Sequence, residues 1–271
     1  MKVTDGTHAE ASPASLPPDR ADILGIPIAY IDRRSLVALV CSCVRNRKKG
    51  WICGINAHAI NLAWTMPWLT DFYRRSLANC SEGFGVTLAT SILGLRVPQR
   101  IVWAYWVHDL FAESERNNLA FFFLGGRDGV ASRAAQRISA QYPGLRIAGS
   151  FHGYFGPAES ASVVQTINAS KPDVLFVAMG MPKQEEWILR NIENLDVRVV
   201  FPVGALLDYL SGTRKRCPDW MVMAGLEWLY RLWKEPRRMW RRYLVGNPQF
   251  IGRIVRARWQ MALRRTVDEG R

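Results

Sequence analysis

From Leu119 to Gly204 the chain alternates short β-rich apolar runs with helical stretches. LAFFFLGG precedes RDGVASRAAQRISAQYPG, LRIAGSFHGYF precedes ESASVVQTINASKP, DVLFVAMG precedes PKQEEWILRNIENL, and VRVVFPVG closes the series. Apolar runs this short, each followed by about 10 to 15 residues of helical pattern, are βα units, and several in succession build a mostly parallel sheet with helices on its faces. The fold class expected is therefore α/β. The alternation is looser upstream. ILGIPIAYID reads as a short strand or hairpin arm, RRSLVALVCSCVRNRKKG as an amphipathic helix, and WICGIN as a strand ending at Asn56. HAINLAWTMPWLTDFYRRSLANC reads as helical, with a break near Pro67.

Composition narrows what such a sheet serves. The 271 residues carry 36 Lys and Arg against 23 Asp and Glu, a net charge of +13. From Gly212 onward there are 15 basic and 5 acidic residues, so +10 of the excess lies in this last stretch. A basic tail attracts nucleic acid, anionic lipid or a polyphosphate substrate. Cys41, Cys43, Cys53, Cys80 and Cys217 are odd in number and form no C-x-x-C pair, which points to reduced thiols and a cytoplasmic setting. The four histidines do not cluster with cysteines, so no metal is expected. Residues 1–20 lack an apolar core segment and read as a disordered leader. No apolar run reaches the roughly 18 residues a membrane span needs. The organisation expected is a leader (1–20), an α/β domain (21–212) and a basic amphipathic appendage (213–271).

In open parallel sheets ligands bind outside the carboxyl ends of the strands. Three such ends carry glycine: Gly125 with Gly126, Gly180, and Gly204. Glycine admits a phosphate close to the backbone, and the helix that follows offers free N–H groups. After Gly180, Pro182 suits a first helical turn, and Glu185 and Glu186 suit a helix N-terminus. Gln184, at the mouth of the sheet, and Asp208, one turn past Gly204, are not explained by helix chemistry. In the tail, a helical wheel puts Arg238, Lys234 and Arg241 within about 80° of Arg231. Leu232, Met239, Tyr243, Leu229, Trp240 and Trp233 fall at about 80° to 200°. One cationic and one aromatic face suit an interfacial helix at an anionic membrane surface. The later basic segment, FIGRIVRARWQMALRR, is expected to add membrane attraction only. His152 is a candidate pocket residue and His58 a helix start. His108 lies in VWAYWVH, which reads as core, with an acceptor or lipid groove as the alternative.

GMPKQEEWI, NAHAINLA, EGFGVTLA, FPVGALLDYLSGTRKRCPDW and GLEWLYRLWKEPRRMWRRYL together resemble the WecG/TagA/CpsF family of bacterial glycosyltransferases, in order and spacing from Ile23 to Tyr243. The resemblance implies a Rossmann-like domain with a C-terminal helical appendage. It implies an inverting, metal-independent enzyme without cofactor, working at the inner face of the cell membrane. Such an enzyme moves a sugar from a UDP-sugar donor to a polyprenyl-diphosphate-linked sugar acceptor in surface or secreted polysaccharide assembly. Glu82 stands where the family has an aspartate that resembles the catalytic base, and Asn56 matches an asparagine beside it. Gly54 replaces a family threonine. Gln184 and Asp208 match donor-side positions, and Arg231, Arg238 and Arg241 match arginines that complete the active site. The chain has no D-x-D motif, so cationic side chains are expected to stabilise the leaving diphosphate. Glucose is the favoured donor sugar, with N-acetylmannosamine and its uronic acid compatible. A noncatalytic UDP-binding relative and a nucleic-acid binder stand as alternatives; no nucleic-acid module is present, and the oligomeric state is open.

Overall fold

A computed structural model describes residues 19–269, with side chains through residue 263. The expected leader falls largely outside the described residues, and Arg20 already opens the first strand. In chain order the strands are β1 (Arg20–Ile23), β2 (Ile26–Ala29), β3 (Gly50–Ile55), β4 (Ala78–Ser81), β5 (Ala120–Gly125), β6 (Arg146–Phe151), β7 (Val174–Ala178) and β8 (Val199–Pro202). The helices begin with α1 (Arg33–Arg45), α2 (Ala57–Thr65), α3 (Pro67–Arg74), α4 (Phe84–Leu93), α5 (Trp103–Arg116), α6 (Val130–Gln141) and α7 (Ser160–Ala169). They continue with α8 (Lys183–Asn191), α9 (Leu206–Leu210), α10 (Asp219–Met223), α11 (Glu227–Lys234) and α12 (Pro236–Trp240). A π-helical turn, Arg241–Val245, leads into α13 (Gly246–Glu269).

β1 and β2 form an antiparallel ribbon, as ILGIPIAYID suggests. The other six strands make one sheet in the order β4-β3-β8-β7-β5-β6, with every pairing parallel. Strand side chains alternate between two cores. Phe121, Phe123, Phe176 and Phe201 pack under α1, α5, α6 and α9. Phe122, Leu124, Leu175 and Val200 pack with the ribbon and with α2, α3, α4, α7, α8 and α13. Burial on both faces is why these strands read as continuous apolar runs. The sheet confirms the α/β, Rossmann-like architecture.

Two expectations need correction. The helical reading of HAINLAWTMPWLTDFYRRSLANC runs too far, because Ala78–Ser81 is the edge strand β4, paired with β3 from Ile52↔Ala78 to Ile55↔Ser81. No Gly or Pro separates that strand from α3, so the helical pattern ran on without a break signal. Nor does FIGRIVRARWQMALRR stand apart from the domain as a membrane-attracting segment only. Phe250 and Ile254 are buried in the core beside α2 and α4, and Arg258 donates to the Leu93 carbonyl at the end of α4.

Candidate active site

Because the strands are parallel, β3, β4, β7 and β8 all end on the same edge. There a cavity of about 1270 Å³ opens, closed from above by α11, α12 and the π-turn. Glu82 follows β4 directly and lines it. Asn56 follows β3 and caps α2: its Oδ1 accepts from the His58 and Ala59 N–H groups at 3.1 and 3.2 Å. The cap turns Nδ2 toward Glu82 Oε2, 3.4 Å away. Burial pushes the Glu82 carboxyl up to about 7, with Glu227 adding to it, while Arg231, Asn56 and Arg242 pull the other way. A buried carboxyl that titrates near neutral pH at the wall of a cavity suits a general base. Beside it, a Cβ built on Gly54 would overlap the Trp103 indole nitrogen and come within 3.0 Å of Glu82 Oε2. The indole therefore occupies the place of a side chain at residue 54. VWAYWVH packs as core, since Trp103, Trp106 and Val107 are buried, yet Trp103 also reaches the cavity wall.

At the exits of β7 and β8, Gln184 is 1% exposed. Its Oε1 accepts from the Gly180 and Gly204 N–H groups, each at 3.1 Å, and so ties the exits of β7 and β8 together. Both glycines have positive φ (79° and 56°) and open space where a Cβ would stand. Gln184 Nε2 donates to Glu185 Oε1 at 2.9 Å. Glu185 is also buried, which raises its carboxyl to about 7 against the opposing Gln184 bond, and its Oε2 has no hydrogen-bond partner among the described residues. Gly126, Gly180, Gly204 and Asp208 line the cavity with these residues. Gly125 and Pro182 do not. Gly125 closes against Ala178 inside the sheet, and Pro182 sits at the cap position before α8, one residue earlier than a first-turn proline.

The appendage is turned inside out relative to a surface helix. Its arginines face the cavity: Arg231, donating to Tyr209 Oη at 3.0 Å, with Arg238 and Arg241. Of the apolar face expected from the wheel, Trp233 (72% exposed) and Trp240 face away, as do Leu244, Val245 and Trp259 (72%), but Met239 and Tyr243 are buried and line the cavity instead. Arg214, Arg216 and Arg253 line it too, and so does one more that went unread in the sequence, Arg242. It lines the cavity near Glu82, and its buried Nε has no partner among the described residues. The wheel carried the signal, since Arg242 falls at about 20° from Arg231. Burial disfavours its charge, and a guanidinium cannot shed its proton, so the cavity keeps a positive potential that an anion would relieve. Arg238 is held at 3.1 Å by Glu235, which also pairs with Arg214 at 2.9 Å.

The histidines divide differently. His108 bonds Tyr142 Oη at 2.9 Å, and His152 stacks on Phe151; neither lines the cavity. His58 does, and burial, then Arg242, lowers it to about 4, so its ring is neutral at pH 7.

The family model described as "Glycosyl transferase WecG/TagA/CpsF family" matches residues 21–264. Similar proteins include the N-acetylglucosaminyldiphosphoundecaprenol N-acetyl-beta-D-mannosaminyltransferases of Staphylococcus aureus strains MRSA252 and MW2. Each is 28% identical over 241 residues, covering 88% of this chain and 93% of the relative. A match through nearly the whole sheet and appendage, with a buried carboxylate facing arginines at the strand ends, places the chain in the WecG/TagA/CpsF family of glycosyltransferases.

Proposed function

We propose that this protein transfers a sugar, with inversion, from a UDP donor to a polyprenyl-diphosphate-linked sugar at the inner membrane face. The observation that carries the reading is one cavity in which the raised Glu82 carboxyl faces Arg231 and Arg242. The acceptor hydroxyl oxygen attacks the anomeric carbon from the face opposite the diphosphate and gives its proton to Glu82. As the bond from that carbon to the diphosphate oxygen breaks, its electron pair leaves with UDP, and Arg231, Arg242, Arg238 and Arg241 offset the growing charge. Gly126, Gly180, Gly204 and Asp208 hold the donor at the strand ends, where Gln184 sets the distance between two of those turns. The lipid acceptor comes from the relatives' name, which specifies a diphosphoundecaprenol-linked sugar. The exposed tryptophans of the appendage suit the lipid interface on which such an acceptor resides.

The test measures UDP release from purified full-length protein given a short-chain prenyl-diphosphate sugar and EDTA. The donor panel holds UDP-glucose, the expectation drawn from the sequence, and UDP-N-acetylmannosamine, the sugar in the relatives' name. Acceptor-dependent release that survives EDTA and collapses in Glu82→Gln is expected. Release indifferent to Glu82 would move the base elsewhere, and UDP binding without turnover of any pair would favour the noncatalytic reading.

A further inference from the structure

We propose that Trp103 is a positioning residue for Glu82, its indole N–H donating to the ionised carboxylate as the second donor beside Asn56. The Nε1 atom is buried and has no hydrogen-bond partner among the described residues. An unmet buried donor is costly, and native structures seldom keep one without a use. Its place is set from two sides. Trp106 and Phe201 hold the ring with centroids at 4.9 and 5.6 Å, so the N–H direction follows from packing. The Ile101 N–H bonds the Ser81 carbonyl at 2.7 Å, which anchors the start of α5 to the strand residue just before Glu82.

Gly54 completes the unit. The indole nitrogen and Glu82 Oε2 both lie within 3.0 Å of the point where a residue-54 Cβ would stand. Any side chain there displaces the indole, so a bare Gly54 is the condition for a tryptophan donor at the base. Asn56 alone holds the carboxylate loosely, at 3.4 Å.

The other groups facing Glu82 are Glu227 and Arg231 from α11, Arg242 from the π-turn and Cys80 from β4. Trp103→Phe keeps these groups and an aromatic ring in the core but removes the donor along with part of the indole, so the wild-type indole N–H signal serves as the check that needs no change of volume. The inference rests on the transferase reading for its consequence in rate, but its test reads Glu82 directly. Full-length protein carrying ¹³C-carboxyl glutamate is titrated by NMR, the Glu82 signal being assigned by its loss in Glu82→Gln. Trp103→Phe is expected to raise the Glu82 midpoint by about one pH unit, since a lost hydrogen bond disfavours the charged form. Gly54→Ala is expected to shift it the same way. Trp187→Phe, whose parent indole donates to the Ser160 hydroxyl of α7 and does not touch Trp103, is expected to leave it unchanged.

A second readout needs no change at Trp103. The wild-type Trp103 indole N–H resonance is expected to titrate with the Glu82 midpoint and to stop doing so in Glu82→Gln. An unchanged midpoint in a folded Trp103→Phe, or an indole signal indifferent to Glu82, would overturn the proposal. Coupled titrations in a protein that releases no UDP would instead spare this inference and sink the transferase reading.

Discussion

Glu82 draws its raised midpoint from desolvation more than from any partner, since burial is the largest cause and its side-chain hydrogen bond to Asn56 is long. Its raised midpoint sets the pH profile. The base works ionised, so kcat/KM is expected to climb through about pH 7 and level off above it. A profile already flat at pH 5 would contradict this. Arg242 offers the second residue-scale check. With its Nε unpartnered inside the cavity, Arg242→Met is expected to cut transfer by about 10²–10³-fold, the usual loss for a donor serving a developing anion. Arg237, exposed and off the cavity wall, is the control, and Arg237→Met is expected to retain activity. Asn56 and Arg231 were legible in the sequence by position, and Arg242 by the wheel. Trp103 was not, because its approach to Gly54 joins residues that are distant in the chain.

At the scale of elements, the exits of β7 and β8 are joined through one side chain. Gln184→Leu removes the acceptor shared by the Gly180 and Gly204 N–H groups and is expected to cost about 1–3 kcal/mol. In a protein of this size that is a fall in Tm of several degrees, readable by calorimetry. Glu185 adds a pH dependence. Its carboxyl moves from 4.5 to about 7 on folding, so the folded state binds this proton more tightly than the unfolded chain. The stability this contributes is complete below about pH 4.5 and is lost as pH rises through about 7. Urea unfolding at pH 5 and pH 8 is expected to show a smaller difference in Glu185→Gln than in wild type; an equal difference would place the proton elsewhere. The sequence placed Gln184 at the sheet mouth, but whether it meets ligand or backbone depends on β7 and β8 being neighbours in space.

Across the whole molecule, the appendage serves two surfaces at once. Inward it supplies the cavity's arginines, and outward it shows Trp233, Trp240, Leu244 and Trp259. Among the described residues no helix is long and apolar enough to cross a membrane; the attachment proposed for this face is by insertion of its side chains at the interface. Trp233→Ala with Trp259→Ala is expected to weaken binding to anionic vesicles about tenfold or more without lowering Tm, since both side chains are exposed. Vesicle binding equal to wild type would reject this face. Removing everything past Gly212 is a different experiment, because it also strips Phe250 and Ile254 from the core. The shortened chain is therefore expected to melt well below the full protein.

The sequence by itself determined the architecture, and the resemblance of its motifs to a known family gave the chemical class. The spacing of apolar runs forces a parallel sheet, a parallel sheet puts its strand ends on one edge, and the quoted motifs mark that edge. Local pattern carries this much because periodicity and turn chemistry act over a few residues. What only the tertiary structure decided is which groups meet. The edge strand after α3, the arginine-inward pose of the appendage, the Gln184 tie and the indole over Gly54 all depend on distant segments packing together. Their energies come from burial and from hydrogen bonds that exist only after folding, so no local pattern encodes them.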